Sequence, residues 1–396
     1  MKILIANLGS TSFKYRLYDM ANAEKLLARG GVERIGSDKA RSYATTDKGS
    51  SEKIGPVPDH AAAVEACLAL LCDRAMGVLT DAKELSAIGF KAVHAEGITG
   101  VQRVTPEVLT AMEAYNTVCP AHNPPYVKAM RLLAEKLPHI PLVAAFETGF
   151  HQSIPEARQL YAVPMEWAKL GISRHGFHGA SHRYIAERSA QLLEHPKAKV
   201  ISCHLGGSSS LCAIEAGKSM ATSMGFTPQS GLPQNNRVGD IDVFTLPIIM
   251  KKTGKTLDAV LNDLANKSGL EGLSGAGNDL RDIEIAAEKG NADAQLAMQV
   301  YVEAIRHYLG AYLVALGGAD AIVFTGGIGE NSASMRSAIC ANLDWFGIKL
   351  DPLKNQTAKG EAAIHATESR VELWTMPTNE EIIVARQTKE KLTANS

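Results

Sequence analysis

The sequence predicts a duplicated α/β fold, two similar halves that each carry one hairpin suited to holding a phosphate. Three observations lead there. The chain opens MKILIANLGSTSFKYRLYD: an apolar run at residues 3–6, a Gly/Ser tip at 7–12, then Phe13, Tyr15 and Leu17 alternating with Lys14, Arg16 and Tyr18. Period-2 patterning across such a tip is the mark of a β-hairpin. Half a chain later, Lys199-Val200-Ile201-Ser202-Cys203-His204-Leu205-Gly206-Gly207-Ser208-Ser209 repeats the charge, apolar run, polar residue, Leu-Gly pair and hydroxyl tip of residues 2–12. Self-similarity at so long a period indicates duplication, with both tips offered to a shared cleft. Finally, 396 residues are too many for one core and suit two domains. Small residues, backbone N–H groups and hydroxyls, with Lys14 just behind, are the parts that hold a phosphate.

Composition narrows the function. With 45% hydrophobic and 21% charged residues the chain sits in the ordinary globular class. A formal net charge of −1 offers no broad field for nucleic acid or an anionic membrane, so an anionic substrate must be gripped locally. Cysteines 67, 72, 119, 203, 212 and 340 form no CxxC pair, which points to reduced thiols in a cytoplasmic protein rather than to disulfides or zinc. The N-terminal apolar run is too short for a signal peptide. The stretch 312–324 is broken by Gly317, Gly318 and Asp320, so no membrane span is expected.

Along the first half, residues 60–79 read as a helix and 86–94 as a strand with polar residues at its end. Thr105 caps a short helix with Pro106 at its first position. A rigid turn at 119–125 follows, and its last proline starts a helix through 137. Residues 140–146 form a buried strand with Glu147-Thr148-Gly149-Phe150-His151 at its C-terminal end, where ligands of open α/β sheets collect. The domain boundary is placed near 150, giving domains 1–150 and 151–379, with a last helix at about 380–396 completing the first.

In the second half, His175-Gly176-Phe177-His178-Gly179-Ala180-Ser181-His182 precedes a helix that Ser181 can cap. The second hairpin spans 199–216. A long loop at 223–242 holds Pro228, Gly231, Pro233 and Arg237, and loops of that length are usually functional or disordered. Helices are expected at about 243–252, 256–267 and 279–289, with a long amphipathic one at 292–316. A strand at 320–325 ends in Gly326-Gly327-Ile328-Gly329-Glu330-Asn331 and a helix from Ser332, an order that brings backbone N–H groups to an anion at a helix start. A strand at 371–376, a turn at 377–379 and a helix from Glu380 close the chain.

These segments carry a resemblance. Asn7-Leu8-Gly9-Ser10-Thr11-Ser12-Phe13-Lys14, His122-Asn123-Pro124-Pro125, Gly176 to Tyr184, Ser223-Met224-Gly225-Phe226-Thr227-Pro228, Arg237-Val238-Gly239-Asp240-Ile241-Asp242, Phe324 to Ser332 and Thr378-Asn379-Glu380-Glu381 occur in the order seen in acetate and propionate kinases. The chain resembles a divergent member of that family. The resemblance implies the duplicated actin-like fold of acetate and sugar kinases, chaperone ATPases and actin, with two domains around a nucleotide cleft. It implies ATP- and Mg²⁺-dependent, reversible phosphorylation of a short carboxylate to an acyl phosphate, with ATP/ADP and Mg²⁺ as cofactors. Such transfer needs in-line positioning and cations around the moving group more than covalent help.

Carried over residue by residue, Asn7 and Glu380 match the Mg²⁺ site. Ser10, Ser12 and Lys14 would meet nucleotide phosphates, with His204, Gly206, Gly207 and Ser208 of the second hairpin. Asp279 and Arg281 match the adenosine site, with Gly327, Ile328, Gly329, Glu330 and Asn331. Glu147, His178 and Arg237 match catalytic positions. Lys91, Val93, Ala121, His122, Phe177, Pro228 and Asn235 would line the carboxylate pocket. A homodimer through the second domain and domain closure are also implied.

Four departures cluster at the expected reacting centre. The family's carboxylate-binding arginine is Lys91, which keeps the charge and loses the planar two-pronged grip. Its active-site aspartate is Glu147. Its His-Leu-Gly-Asn-Gly-Ser-Ser loop reads His204-Leu205-Gly206-Gly207-Ser208-Ser209-Ser210, losing an amide. Its acyl-pocket wall changes too: Ala121 stands where leucine is common, and Asn235-Asn236 where Gly-Thr is common. Charge is preserved throughout, so the expectation is an active carboxylate kinase whose acyl group is larger or more polar than acetate. The alternatives are a nucleotide-binding homologue that has lost or redirected transfer, a sugar or polyol kinase, and an actin-like filament former.

Other notable residues read as structural: His182 and Arg183 as first-turn helix residues, His94 and His151 as satisfied hydrogen-bonders, and Cys203 and Cys212 as packing. The stripe Leu296, Val300, Ile305, Leu309 and Leu313 reads as core or dimer contact.

Overall fold

Alternating apolar residues at both hairpins build two separate sheets. The computed structural model describes residues 1–9, 11–120 and 122–394. It divides into two compact units, Met1–Gly149 with Asn379–Ser396, and Phe150–Thr378. Ser10 and Ala121 lie outside the described residues.

In the first unit, β1 (Lys2–Leu8) and β2 (Ser12–Asp19) pair antiparallel, with Asn7 opposite Lys14 and Leu8 opposite Phe13. The Gly9 N–H donates to the Ser12 carbonyl at 2.8 Å, closing the tip. The sheet then grows by β3 (Lys25–Glu33), β4 (Ser37–Thr46) and β5 (Gly49–Val57), a meander absent from the sequence reading. On the other side of β1 lie β6 (Leu85–Ala92), β7 (Val101–Arg103) and β8 (Leu142–Phe146), giving the order β5-β4-β3-β2-β1-β6-β8-β7. Strands β1, β6 and β8 are parallel, so their carboxyl ends share one edge. All of β8 and most of β6 are buried, as expected of strands covered on both faces.

Helices His60–Leu71, Pro106–Ala114 and Asn123–Lys136 belong to this unit. The first is shorter than the expected 60–79. Cys72 closes it by donating to Leu68 O, and the Gly77 N–H then donates to Asp73 O in a turn of its own. The C-terminal helix Glu380–Thr393 packs on β1, β6 and β8. Its close approach depends on Gly89, where a Cβ would lie 2.5 Å from Thr388 Oγ1.

The second unit holds β9 (Lys199–His204), β10 (Ser210–Glu215), β11 (Lys218–Thr222), β12 (Ala321–Thr325), β13 (Ala362–Ala363) and β14 (Glu372–Thr375), ordered β11-β10-β9-β12-β14-β13. Strand β9 pairs antiparallel with β10 and parallel with β12, β12 is parallel to β14, and β13 runs antiparallel at the edge. Strands β3, β2, β1, β6, β8 and β7 have the same order and the same directions. The repeat seen in two short sequences is thus a repeat of whole-sheet topology, and β4 and β5 are additions to the first copy.

The long helix Ala292–Leu316 buries Tyr301, Ile305, Leu309 and Leu313, while Leu296 is 54% exposed. After β12 the chain turns straight into the helix Gly326–Asn331 instead of remaining a loop, and Ser332 caps the next helix, Ala333–Cys340. The Ile328 and Gly329 N–H groups both donate to the Leu205 carbonyl, at 2.8 and 3.1 Å, tying this turn to the second hairpin. Gly326 makes the turn possible: its φ is +78°, and a Cβ would sit 2.6 Å from Leu205 O. Among the described residues no helix is long and apolar enough to cross a membrane.

Gly326→Ala is therefore expected to destabilise the protein by about 1–3 kcal/mol, the size of one strained backbone position. Urea unfolding measures this, and a variant as stable as the parent would contradict the turn's dependence on glycine.

Candidate active site

The parallel strands of the first unit end in a row of polar groups. Asn7 closes β1, Lys91 stands near the end of β6 opposite Ala145 of β8, and Glu147 directly follows β8. The C-terminal helix adds Glu380 at its first position. Lys91 Nζ donates to Glu380 Oε2. Burial opposes the charge on Lys91, but Glu380 and Glu147 more than offset it and hold the ammonium above its ordinary pKa. Asn7 Oδ1 accepts from the Tyr126 hydroxyl at 3.1 Å, and that hydroxyl accepts the Leu8 N–H at 3.2 Å. Tyr126 sits just past His122-Asn123-Pro124-Pro125, and Asn123 anchors the motif by donating to His94 O and Met112 O. His122 is the N-cap residue of that helix, and Val93 follows β6, half-buried. Lys14 is exposed on β2, and the Ser12 carbonyl serves the tip.

In the second unit four histidines gather around β9 and β10. His178 occupies the left-handed region, φ 56° and ψ 29°, as N-cap residue of the helix Gly179–Leu192. Its ring stacks on His204 with centroids 4.2 Å apart. Its Nδ1 lies 2.8 Å from Ser210 Oγ, and the same hydroxyl lies 2.8 Å from Nε2 of His182. His182 Nδ1 in turn meets Ser202 Oγ at 2.9 Å, and His204 Nδ1 meets Ser181 Oγ at 2.8 Å. Ser181 thus serves His204, not the helix start. Burial, with His151 and His204 nearby, holds His182 well below the ordinary imidazole range. His151 is fixed by its partners: Nε2 donates to the Phe177 carbonyl at 2.8 Å, so Nδ1 accepts from Ser219 Oγ at 2.9 Å. Burial pushes it down to about 4. Phe177 itself is buried.

The loop before Arg237 is held by Gln234, which sequence reasoning missed. Gln234 is buried; it donates to Pro228 O at 2.7 Å and accepts from Ser208 Oγ at 2.7 Å and Arg237 Nη1 at 3.1 Å. Gly206, Gly207, Asn235, Asp279, Arg281, Gly327, Ile328 and Asn331 line one cavity of about 430 Å³. Asp279 caps the helix Leu280–Glu288 and takes a forked pair of bonds from Arg281, which holds its carboxyl down at about 2. Glu330 accepts from the Gly326 N–H at 3.1 Å, and burial pushes its carboxyl up. Asn331 Nδ2 donates to Gly327 O. Arg336, almost fully buried, donates to Gly329 O and Glu330 O and so fixes the far end of the glycine turn. Tyr301 of the long helix meets Ser209 Oγ at 2.8 Å. In the sequence, Arg336 and Tyr301 carry no signal that separates them from the other polar residues of their helices.

The Acetokinase family model matches residues 2–386. The chain belongs to the acetokinase family. It is 42% identical to the acetate kinase of Halothermothrix orenii over 393 residues, covering 98% of each chain. It is equally identical to that of Methanosarcina thermophila over 395 residues, covering 98% of this chain and 97% of the other. Among solved structures, Porphyromonas gingivalis acetate kinase superposes with a TM-score of 0.88 at 37% identity, covering 99% of each chain. A propionate kinase from Francisella tularensis superposes with a TM-score of 0.87 at 31% identity over 98% of each. The protein is therefore an enzyme, a carboxylate kinase on the actin-like fold, and ATP/ADP is the nucleotide of its family.

Two of the departures from the family pattern meet in space. A Cβ on Gly207 would lie 3.3 Å from Asn235 Nδ2, and the Asn235 N–H donates to Gly207 O at 3.2 Å. The family pattern has asparagine in the loop and Gly-Thr before the arginine; this chain has Gly207 in the loop and Asn235-Asn236 before the arginine, and the two changed positions touch. Asn235 shares a cavity lining with Gly206, Gly207, Asp279 and Arg281.

Two buried neutral histidines give the enzyme a pH signature. His151 and His182 stay uncharged when folded, while the unfolded chain protonates them near the ordinary 6.5. Their contribution is complete above that pH and is lost as pH falls towards 4, at up to about 1.4 kcal/mol per pH unit for each. Urea unfolding at pH 7.5 and 5.0 should show the loss, and His151→Gln should reduce it while His182 keeps its share. A profile that is already flat in the parent would contradict the assignment.

Proposed function

We propose that this enzyme transfers the terminal phosphoryl group of ATP to a short-chain carboxylate, forming an acyl phosphate, and runs the reaction back towards ATP. The observation that carries this reading is the Lys91 ammonium, set in the field of Glu380 and Glu147 at the carboxyl edge of the first sheet. A hydroxyl acceptor needs a base and no cation there; a carboxylate acceptor needs a cation, because it is already ionised. In this reading Lys91 receives the carboxylate, with Val93 and His122 beside it, and Phe177 and Pro228 contribute to the acyl wall. Alanine at 121, where leucine is common in the family, is the reason to expect an acid larger than acetate. Asn235 and Asn236 add hydrogen-bonding capacity that suits a more polar one.

Ser10, Ser12, Lys14, His204, Gly206, Gly207 and Ser208, with the Asn235 amide, hold the phosphates. Asp279, Arg281 and the turn Gly327 to Asn331 hold the nucleoside. His178 and Arg237 steady the equatorial oxygens of the moving group. His182, Ser202 and Ser210 position His178, and Gln234 positions Arg237. Asn7 and Glu380 offer the hard oxygen donors that suit Mg²⁺, which takes one or two protein ligands and fills its shell with phosphate oxygens and water. When bound, that ion supplies positive charge on the phosphates. A cytoplasmic homodimer completes the reading: six free cysteines suit reduced thiols, and Phe244, Ile248, Leu257 and Leu261 are exposed on the second unit.

ATP/Mg²⁺ turnover over a panel from acetate to propionate, butyrate and hydroxy-acids, trapped as hydroxamates, tests the reading. An acid longer than acetate should give the highest kcat/KM, and a preference for acetate would overturn the size argument. Lys91→Met should lower kcat/KM for the acid by roughly 100-fold, with Lys91→Arg retaining more; equal activity in Lys91→Met would remove the central cation. Asn235→Gly should raise KM for ATP several-fold, and adding Gly207→Asn should restore it, a coupling of about 1 kcal/mol or more between touching residues. Additive effects would show that the two positions are independent.

A further inference from the structure

The open face of β2, β3 and β4 carries a concentration of positive charge of which the carboxylate-kinase reading uses only Lys14. Lys14, Arg16, Arg29 and Arg41 line a cavity of about 470 Å³, with Glu381 as its one acidic lining residue. That volume falls within the usual range of small-molecule sites. The register makes the crowding specific. Arg16 on β2 and Arg29 on β3 are direct cross-strand partners, and like charges directly opposite each other on an antiparallel pair destabilise it. Arg16 is partly relieved, with Glu381 at 3.5 Å and Asn379 Oδ1 accepting its Nη1 at 3.1 Å. Arg41 is braced by Glu52 at 2.8 Å and Glu33 at 3.6 Å and lies over the Tyr43 ring at 4.8 Å. Among the described residues, Lys14 and Arg29 have no carboxylate within ion-pair distance.

Two braced guanidinium groups, with a third and an ammonium in the same lining, suit an anion that carries several charges along its length. We propose that this cavity binds an oligophosphate, a linear chain of two or more phosphate groups. Guanidinium forks match phosphate oxygens two at a time, and the pre-set side chains lose little freedom on binding. A single carboxylate would neutralise only one of the four cations; an oligophosphate answers all of them and removes the repulsion between Arg16 and Arg29. The chain of phosphates could be inorganic or the tail of a nucleotide. Asn7 lies in the same lining, so the site adjoins the carboxyl edge of the first sheet. Arg29 and Arg41 take no part in the carboxylate-kinase reading, so variants at these two positions test the site apart from it.

Calorimetric titration of the full-length enzyme with tripolyphosphate, without nucleotide, tests the site. One tripolyphosphate should bind per chain, with affinity that falls steeply as salt is raised. Arg29→Gln and Arg41→Gln should each weaken it at least tenfold, and Arg29→Glu should abolish it; Arg29 is exposed, so these variants leave the core untouched. Binding that persists in enzyme saturated with ADP identifies free oligophosphate as the ligand. Displacement by ADP, together with weaker ADP binding in Arg29→Gln, identifies the nucleotide tail. No binding, or equal binding by parent and variants, overturns the proposal, whatever the enzyme does with carboxylates.

Discussion

One shared charge holds the edge of the first sheet together. Lys91 comes from β6, Glu147 from the end of β8 and Glu380 from the first turn of the C-terminal helix, so three distant stretches meet around a single ammonium. A half-buried carboxylate without a counter-charge is costly, and removing one partner of such a group costs more than the pair contributes. The C-terminal helix is accordingly fastened at its start: Asn379 Oδ1 accepts from the Ile382 N–H, from Arg16 and from the Tyr18 hydroxyl. Arg386 and Glu24 form a second clasp further along. Docking of the last helix and assembly of the site are the same event.

Much of this was legible in the sequence because it was written in periodicity. Both hairpins, the parallel strands that follow them, the proline-capped helix after Thr105 and the long helix at 292–316 announce themselves by spacing and by turn residues. The meander β3–β5 does not. Its strands carry Lys25, Arg29, Lys39, Ser50 and Lys53 on exposed faces, with glycines at 30, 31 and 55, so their alternation is too dilute to stand out. The end of the first helix near Leu71 was equally hidden, because apolar residues continue past it into a turn.

The sites show a different limit. Residue types at the second hairpin were evident, but contacts were not. That Ser210 would stand between His178 and His182, or that Gln234 would brace Arg237 and Ser208, depends on which faces β9 and β10 turn towards each other. The Gly207 and Asn235 pair is the clearest case. Read along the chain the two changes look unrelated; in space Gly207 and Asn235 touch, and the Asn235 N–H donates to Gly207 O.

The account turns on a carboxylate oxygen attacking phosphorus, and isotopic labelling reads that bond directly. With ¹⁸O-carboxyl-labelled acid, ATP and Mg²⁺, the account predicts acyl phosphate whose bridging oxygen carries ¹⁸O, seen as an isotope shift in its ³¹P resonance. ATP consumption that yields only unlabelled inorganic phosphate would contradict it.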